Sequence, residues 1–108
     1  MNSTKDTVTL SATQLHRHRE TSALDANALE LFARVVAAGS FSRGARQLGL
    51  TRAAVSRRVA AMEEIVGQTL LARTTRSLGL TEAGRALASR AQVVHEAANA
   101  ARMALRKE

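Results

Sequence analysis

Gly39, Gly49 and Gly67 cut the middle of this chain into three helical patterns, and the first two gaps are so short that the helices they join must lie against one another. Asp25 suits an N-cap, and Leu29, Phe32, Val35 and Val36 then recur at helical spacing until Gly39 stops the pattern. Ser40-Phe41-Ser42 makes a short break, with Ser42 the expected cap of a second, short helix through Ala45 and Leu48 that ends at Gly49. Thr51 is the expected cap of a third helix, in which Val55, Val59 and Met62 form a buried stripe at steps of four and three before Gly67 ends it. Two helices joined by so tight a turn, with a third packed beside them, form a helix-turn-helix arrangement.

The pattern then changes period. Leu70-Leu71-Ala72-Arg73 and Ser77-Leu78-Gly79-Leu80 are short, partly alternating apolar pieces around Thr74-Thr75-Arg76, as a small two-stranded wing requires. Thr81 and Glu82 open a last helix that meets no Pro, and no Gly after Gly84, and is expected to run to about residue 107. At 1.5 Å per residue such a helix is about 38 Å long, more than so small a domain can cover. Its apolar positions Leu87, Ala91, Val94, Ala98, Ala101 and Leu105 alternate steps of four and three, the seam of a helix pair. The expected fold is therefore all-α dominated: a winged helix-turn-helix of three helices and a two-stranded wing, followed by a long linker and dimerisation helix. Residues 1–24 are expected to form a flexible tail, 25–81 the winged domain and 82–108 the linker helix.

Charge narrows the partner. Lys and Arg number 16 against 9 Asp and Glu, a formal charge of +7, which suits a polyanion, either nucleic acid or an acidic membrane surface. The absence of Cys excludes disulfides and thiol chemistry. With no Trp, no Tyr and two Phe, the chain lacks the aromatic platforms of single-strand and RNA-stacking surfaces. No apolar run reaches the length of a membrane span, and the first ten residues lack a signal-peptide pattern, so a cytoplasmic protein without membrane contact is expected. His16 and His18 in the polar tail have no further ligand beside them and are read as solvated, so no metal site is expected. No nucleophile–base pair or carboxylate dyad is visible, which argues against an enzyme, and no cofactor is expected.

The third helix carries the residues that fit a duplex. In a helix-turn-helix the second helix of the pair enters the major groove by its N-terminal end. Here that end offers Arg52, Ala53, Ser56 and Arg57 away from the Val55, Val59 and Met62 stripe. Arg52 or Arg57 is suited to guanine O6 and N7, Ser56 to a base edge or a phosphate, and the backbone after Thr51 to a phosphate. Arg58 adds to the cationic first half, whereas Glu63 and Glu64 fall in the second.

These residues resemble a family. Gly39-Ser40-Phe41-Ser42, Ala45-Arg46-Gln47-Leu48-Gly49-Leu50-Thr51 and Ala54-Val55-Ser56-Arg57 are similar to the DNA-binding domain of LysR-type bacterial transcription regulators. The likeness continues through Met62-Glu63-Glu64-Ile65-Val66-Gly67, Leu70, Arg73-Thr74, Arg76 and Leu80-Thr81-Glu82-Ala83-Gly84, and covers residues 24–107. It implies a sequence-specific double-stranded DNA-binding regulator, acting as a dimer or tetramer, whose linker helix packs antiparallel against that of a second subunit. It also implies that Arg76, at the wing tip, reaches the minor groove, where a narrow A·T-rich stretch attracts an arginine. Arg73 joins the DNA-facing set at the base of the wing, and Arg43 and Arg46 are expected on phosphates. Four departures stand out: Arg52 where Gln or a small polar residue is frequent, Ala53 where Pro is frequent, Val66 in place of Leu, and Leu71 in place of an aromatic. The first two fall on the reading face and point to a different preferred site; the others conserve core character. Regulators of this family continue into a ligand-binding domain, so the expectation is a DNA-binding portion without an inducer site. The alternative reading is an interaction module that pairs with full-length relatives without regulating DNA itself.

Overall fold

The computed structural model describes residues 11–12, 23–73 and 78–106. In chain order these form α1 (Ala26–Ala38), α2 (Phe41–Leu48), α3 (Arg52–Val66), the strands β1 (Leu71–Arg73) and β2 (Leu78–Leu80), and α4 (Glu82–Ala104). This is a winged helix-turn-helix followed by a long helix, as the residue pattern led one to expect. The tail through residue 10, its 14–20 stretch with His16 and His18, and the wing tip at Thr74, Thr75 and Arg76 lie outside the described residues.

Short side chains start each helix. Asp25 Oδ1 accepts from the Ala28 N–H at 2.9 Å, and Thr51 Oγ1 accepts from the Ala54 N–H at 3.0 Å. The cap of α2 is Ser40, not Ser42: its Oγ accepts from the Arg43 N–H at 2.9 Å, and its backbone is extended (φ −161°, ψ 151°). The earlier start puts Phe41 at the first helical position, where it is buried in the core, whereas Ser42 is exposed within the helix. Gly39, Gly49 and Gly67 close α1, α2 and α3 in the left-handed region, with φ between 70° and 77°, where other side chains are strained.

The core gathers on α1. Phe32, Val35, Val55, Val59 and Met62 are fully buried, joined by Leu31, Phe41, Ala45, Leu70 and Leu71. Leu31 was not part of the expected stripe, and Leu29 and Val36 pack only partly against this cluster. The departures at residues 66 and 71 keep their places: Leu71 is buried and Val66 rests against the core.

The wing is antiparallel, with Leu71 opposite Leu80, Ala72 opposite Gly79 and Arg73 opposite Leu78. Its base is tied at both ends. Glu63 Oε2 accepts from the Leu70 and Leu71 N–H groups at 2.8 and 3.2 Å. Thr81 Oγ1 donates to the Thr69 carbonyl at 2.6 Å while accepting from the Gly84 N–H at 3.0 Å, so one hydroxyl both caps α4 and fastens it to the strand entry. A Cβ on Gly84 would collide with the Leu70 carbonyl, so only glycine allows this approach.

The linker helix differs from expectation in two respects. It ends at Ala104, giving 23 residues and about 35 Å. More consequentially, its expected seam is divided. Ala91 is completely buried in the chain's own core, and Leu87 packs against that core, because α1 covers this side of the helix. Ala91 is therefore closed to any partner, whereas Leu87 keeps part of its surface open. Val94 and Ala98 are half-buried, while Ala101 and Leu105 are exposed.

Candidate nucleic-acid interface

The turn at Gly49 and Leu50 delivers α3 to the surface by its N-terminal end. The Leu50 N–H returns to the Ala45 carbonyl at 2.9 Å, which closes α2 tightly and brings Thr51 round within two residues. Val55, Val59 and Met62, all at zero exposure, then hold one side of α3 against the core along most of its length. The opposite side of its first half is open: Arg52, Ala53, Arg57 and Arg58 are exposed and Ser56 is half-buried. Thr51 uses its hydroxyl on the Ala54 N–H, while the N–H groups of Arg52 and Ala53 precede the first intrahelical bond and stand free for an anion.

Two arginines have local partners that their spacing did not reveal. The Arg52 guanidinium lies over the Phe41 ring, 6.0 Å from its centroid, a cation–π approach across the helix-turn-helix. Arg43 Nη1 donates to the Ala38 carbonyl at 3.2 Å, so this side chain helps finish α1 besides standing at the surface. Arg46 is exposed in the last turn of α2. No carboxylate of a described residue forms an ion pair with Arg43, Arg46, Arg52, Arg57 or Arg58; the ion pairs among the described residues gather on Glu30. Of the two acids at the far end of α3, Glu63 faces the wing amides and Glu64 is exposed. The result is a cationic ridge over α2 and the start of α3, with small residues where a close approach is needed. Arg73 lies in β1, at the base of the wing.

The second candidate surface is the far half of α4. Besides Ala101 and Leu105, it exposes Val93 and Met103, at 59% and 56%, which the four-and-three seam omitted. Among the described residues there is no grouping of three or more His, Asp or Glu fit for a metal ion, and no helix long and apolar enough to cross a membrane.

The pattern of the bacterial regulatory helix-turn-helix protein, lysR family, matches residues 26–85. The HTH-type transcriptional regulator CrgA of Neisseria meningitidis is 53% identical over 64 residues, which are 59% of this chain and 21% of that protein. The probable HTH-type transcriptional regulator LtrA of Klebsiella pneumoniae is 49% identical over 73 residues, 68% of this chain and 24% of the relative. The chain thus spans about a fifth to a quarter of the length of the curated relatives it matches. Among solved structures, a LysR family transcriptional regulator aligns at a TM-score of 0.61 with 32% identity, covering 70% of this chain and 26% of the other. BenM_DBD, crystallised with catB site 1 DNA, aligns at a TM-score of 0.62 with 26% identity over 78% of this chain and all of the other.

Proposed function

The chain belongs to the lysR family of bacterial regulatory helix-turn-helix proteins, and from that premise we propose that it is the double-stranded DNA-binding part of a cytoplasmic transcription regulator and reads its site as a homodimer. The observation that carries this reading is the first half of α3, where Arg52, Ala53 and Arg57 stand clear of a helix anchored by three wholly buried residues. The similarity to BenM_DBD, which was crystallised with DNA, supports a duplex as the partner. In this reading Arg52 and Arg57 contact guanine edges, and Ser56 contacts a base or a phosphate. The backbone after Thr51, with Arg43 and Arg46, lies on phosphates, and Arg73 and Arg76 serve the wing.

One reading helix and one wing make too few contacts for selection within a genome, so a second copy is required. The exposed side of α4 offers Val93, Ala101 and Leu105 for that pairing, with half-buried Ala98 at its edge. The same exposed side is what favours the second reading, an interaction module that pairs with full-length relatives. Selection of bound duplexes from a random pool, together with sedimentation equilibrium of the chain and of Ala98→Glu, separates the two. Enrichment of an inverted repeat by a dimer, and loss of the dimer in Ala98→Glu, is the expected result. A dimer that enriches no sequence supports the interaction module, and a monomeric wild-type chain sinks the α4 pairing.

A further inference from the structure

Glu30 lies on α1, yet its Oε1 takes two partners from α4: Arg102 Nη2 at 2.9 Å and His95 Nδ1 at 3.3 Å. His95 and Arg102 are seven residues apart, two helical turns, and so share one face of α4. The other carboxylate nearby on that helix, Glu96, accepts from Gln92 Nε2 at 3.1 Å instead. The side chains of Glu30 and His95 are each about four-fifths buried, whereas Arg102 is 55% exposed.

The contact sits where the apolar packing of α4 runs out. Ala91 is the last buried residue of the helix; Val94, His95 and Ala98 are half-buried, and every described residue from 99 onward is exposed. We propose that Glu30 is a positioning residue: with His95 and Arg102 it latches the far half of α4 to α1 and so sets the direction in which that helix leaves the winged domain. The outer partner, Arg102, is mostly exposed and screened by water, so its bond adds little to folding stability and acts as a small bias on the direction of the helix.

The geometry makes angle matter. From Ala91 to Ala104 the helix runs about 20 Å, so a swing of about 10° moves its end by about 3.5 Å. That equals roughly one base-pair step, about 3.4 Å along a strand. If two copies pair through α4, the latch therefore selects the spacing between half-sites. This consequence rests on the dimer reading above; the latch itself does not.

The chain contains no Cys, so Gln68→Cys and Ala100→Cys can be spin-labelled without background thiols. Dilution into excess unlabelled chain restricts the measured distances to those within one molecule. A single narrow distance peak is expected for the parent chain. Glu30→Gln and Arg102→Met should each broaden it towards longer distances, with the thermal midpoint nearly unchanged. In parallel, the preference among duplexes whose half-sites are stepped apart by single base pairs should flatten in both variants. An unchanged distance peak in both variants overturns the latch. A broadened peak with an intact spacing preference overturns its role in reading. Should Glu30→Gln fail to fold, Arg102→Met decides alone, since its side chain is mostly exposed. A parent chain that binds no duplex counts against the DNA reading, and the distance measurement still decides the latch.

Discussion

Helices α3 and α4 are both proposed to meet a partner, and they are held in opposite ways. In α3, three wholly buried residues spaced over two turns clamp the helix from Val55 to Met62, so its polar first half is presented rigidly. In α4, the buried positions are confined to the first half, at Gly84 and Ala91, and the second half rests on small half-buried side chains and the Glu30 pair. The charged face thus sits on an element anchored along its length, and the apolar face on one whose far half is held chiefly by the Glu30 contacts. That division suits their proposed partners. Direct readout needs side chains placed to within fractions of an ångström, whereas a helix pair carried on a lever can adjust the distance between two such readers.

The largest effect expected tests the charged face of α3 and its neighbours. If a dimer makes about 6–10 phosphate contacts, affinity for duplex falls by roughly 10³–10⁵ between about 50 and 200 mM salt. Fluorescence anisotropy across that range measures the slope. A flat titration would mean that the arginines of α2 and α3 do not meet phosphates.

A second test sets the two anchorages against each other. Met62→Ala removes a wholly buried side chain from under α3 and is expected to lower folding stability by about 2–5 kcal/mol. Leu105→Ala, on a residue 83% exposed, should stay within about 0.5 kcal/mol. Urea denaturation of the two variants at low protein concentration, where assembly does not contribute, gives both numbers. Similar losses would show that the end of α4 is anchored as firmly as α3.

A third sharpens the role of α3 itself. Arg57→Ala should cost about 1–3 kcal/mol in binding and relax the preference at one base pair per half-site. Loss of affinity that is uniform across sequences would make Arg57 a phosphate contact instead. The cation–π approach of Arg52 to Phe41 gives it a local hold that Arg57 lacks among the described residues. Arg52→Ala is therefore expected to lose discrimination at least as sharply.

What the residue pattern made legible, and what it did not, follows the range of the interactions. The caps at Asp25, Thr51 and Thr81, the glycine stops and the stripe Val55, Val59, Met62 are set within four residues, and all were readable. Periodicity showed that Leu87 and Ala91 lie on an apolar face of α4 but carried no information about what covers it, and α1 proved to be the cover. Glu63, which ties the strand entry across seven and eight residues, stood in the sequence only as an acid in the second half of α3. Glu30 reaches partners 65 and 72 residues away, where no local spacing can announce it. The arginines of α3 were legible as a cationic, exposed set; the Phe41 ring beneath Arg52 was hidden because it comes from a different helix.

The smallest expected effect concerns the start of α2, which fixes how the turn hands the chain on to α3. Both Ser40 and Ser42 have the chemistry of a cap, and the burial of Phe41 chooses between them. With Ser40 outside the helix, Phe41 enters the core from the first turn, and Gly44 lets α2 approach α1 so closely that an added Cβ would stand 3.1 Å from Val35. Ser40→Ala deletes the acceptor for the Arg43 N–H and should cost about 1 kcal/mol. Ser42→Ala, at the exposed second position of the helix, removes no cap and replaces serine by a better helix former, so stability should hold or rise by a few tenths of a kcal/mol. Thermal unfolding of the two variants side by side reads the difference as a drop in midpoint for one and none for the other. A larger loss from Ser42→Ala would mean that α2 starts two residues later, with Phe41 before the helix and the platform under Arg52 displaced. The rigid presentation of α3 would then have to rest on Val55, Val59 and Met62 alone.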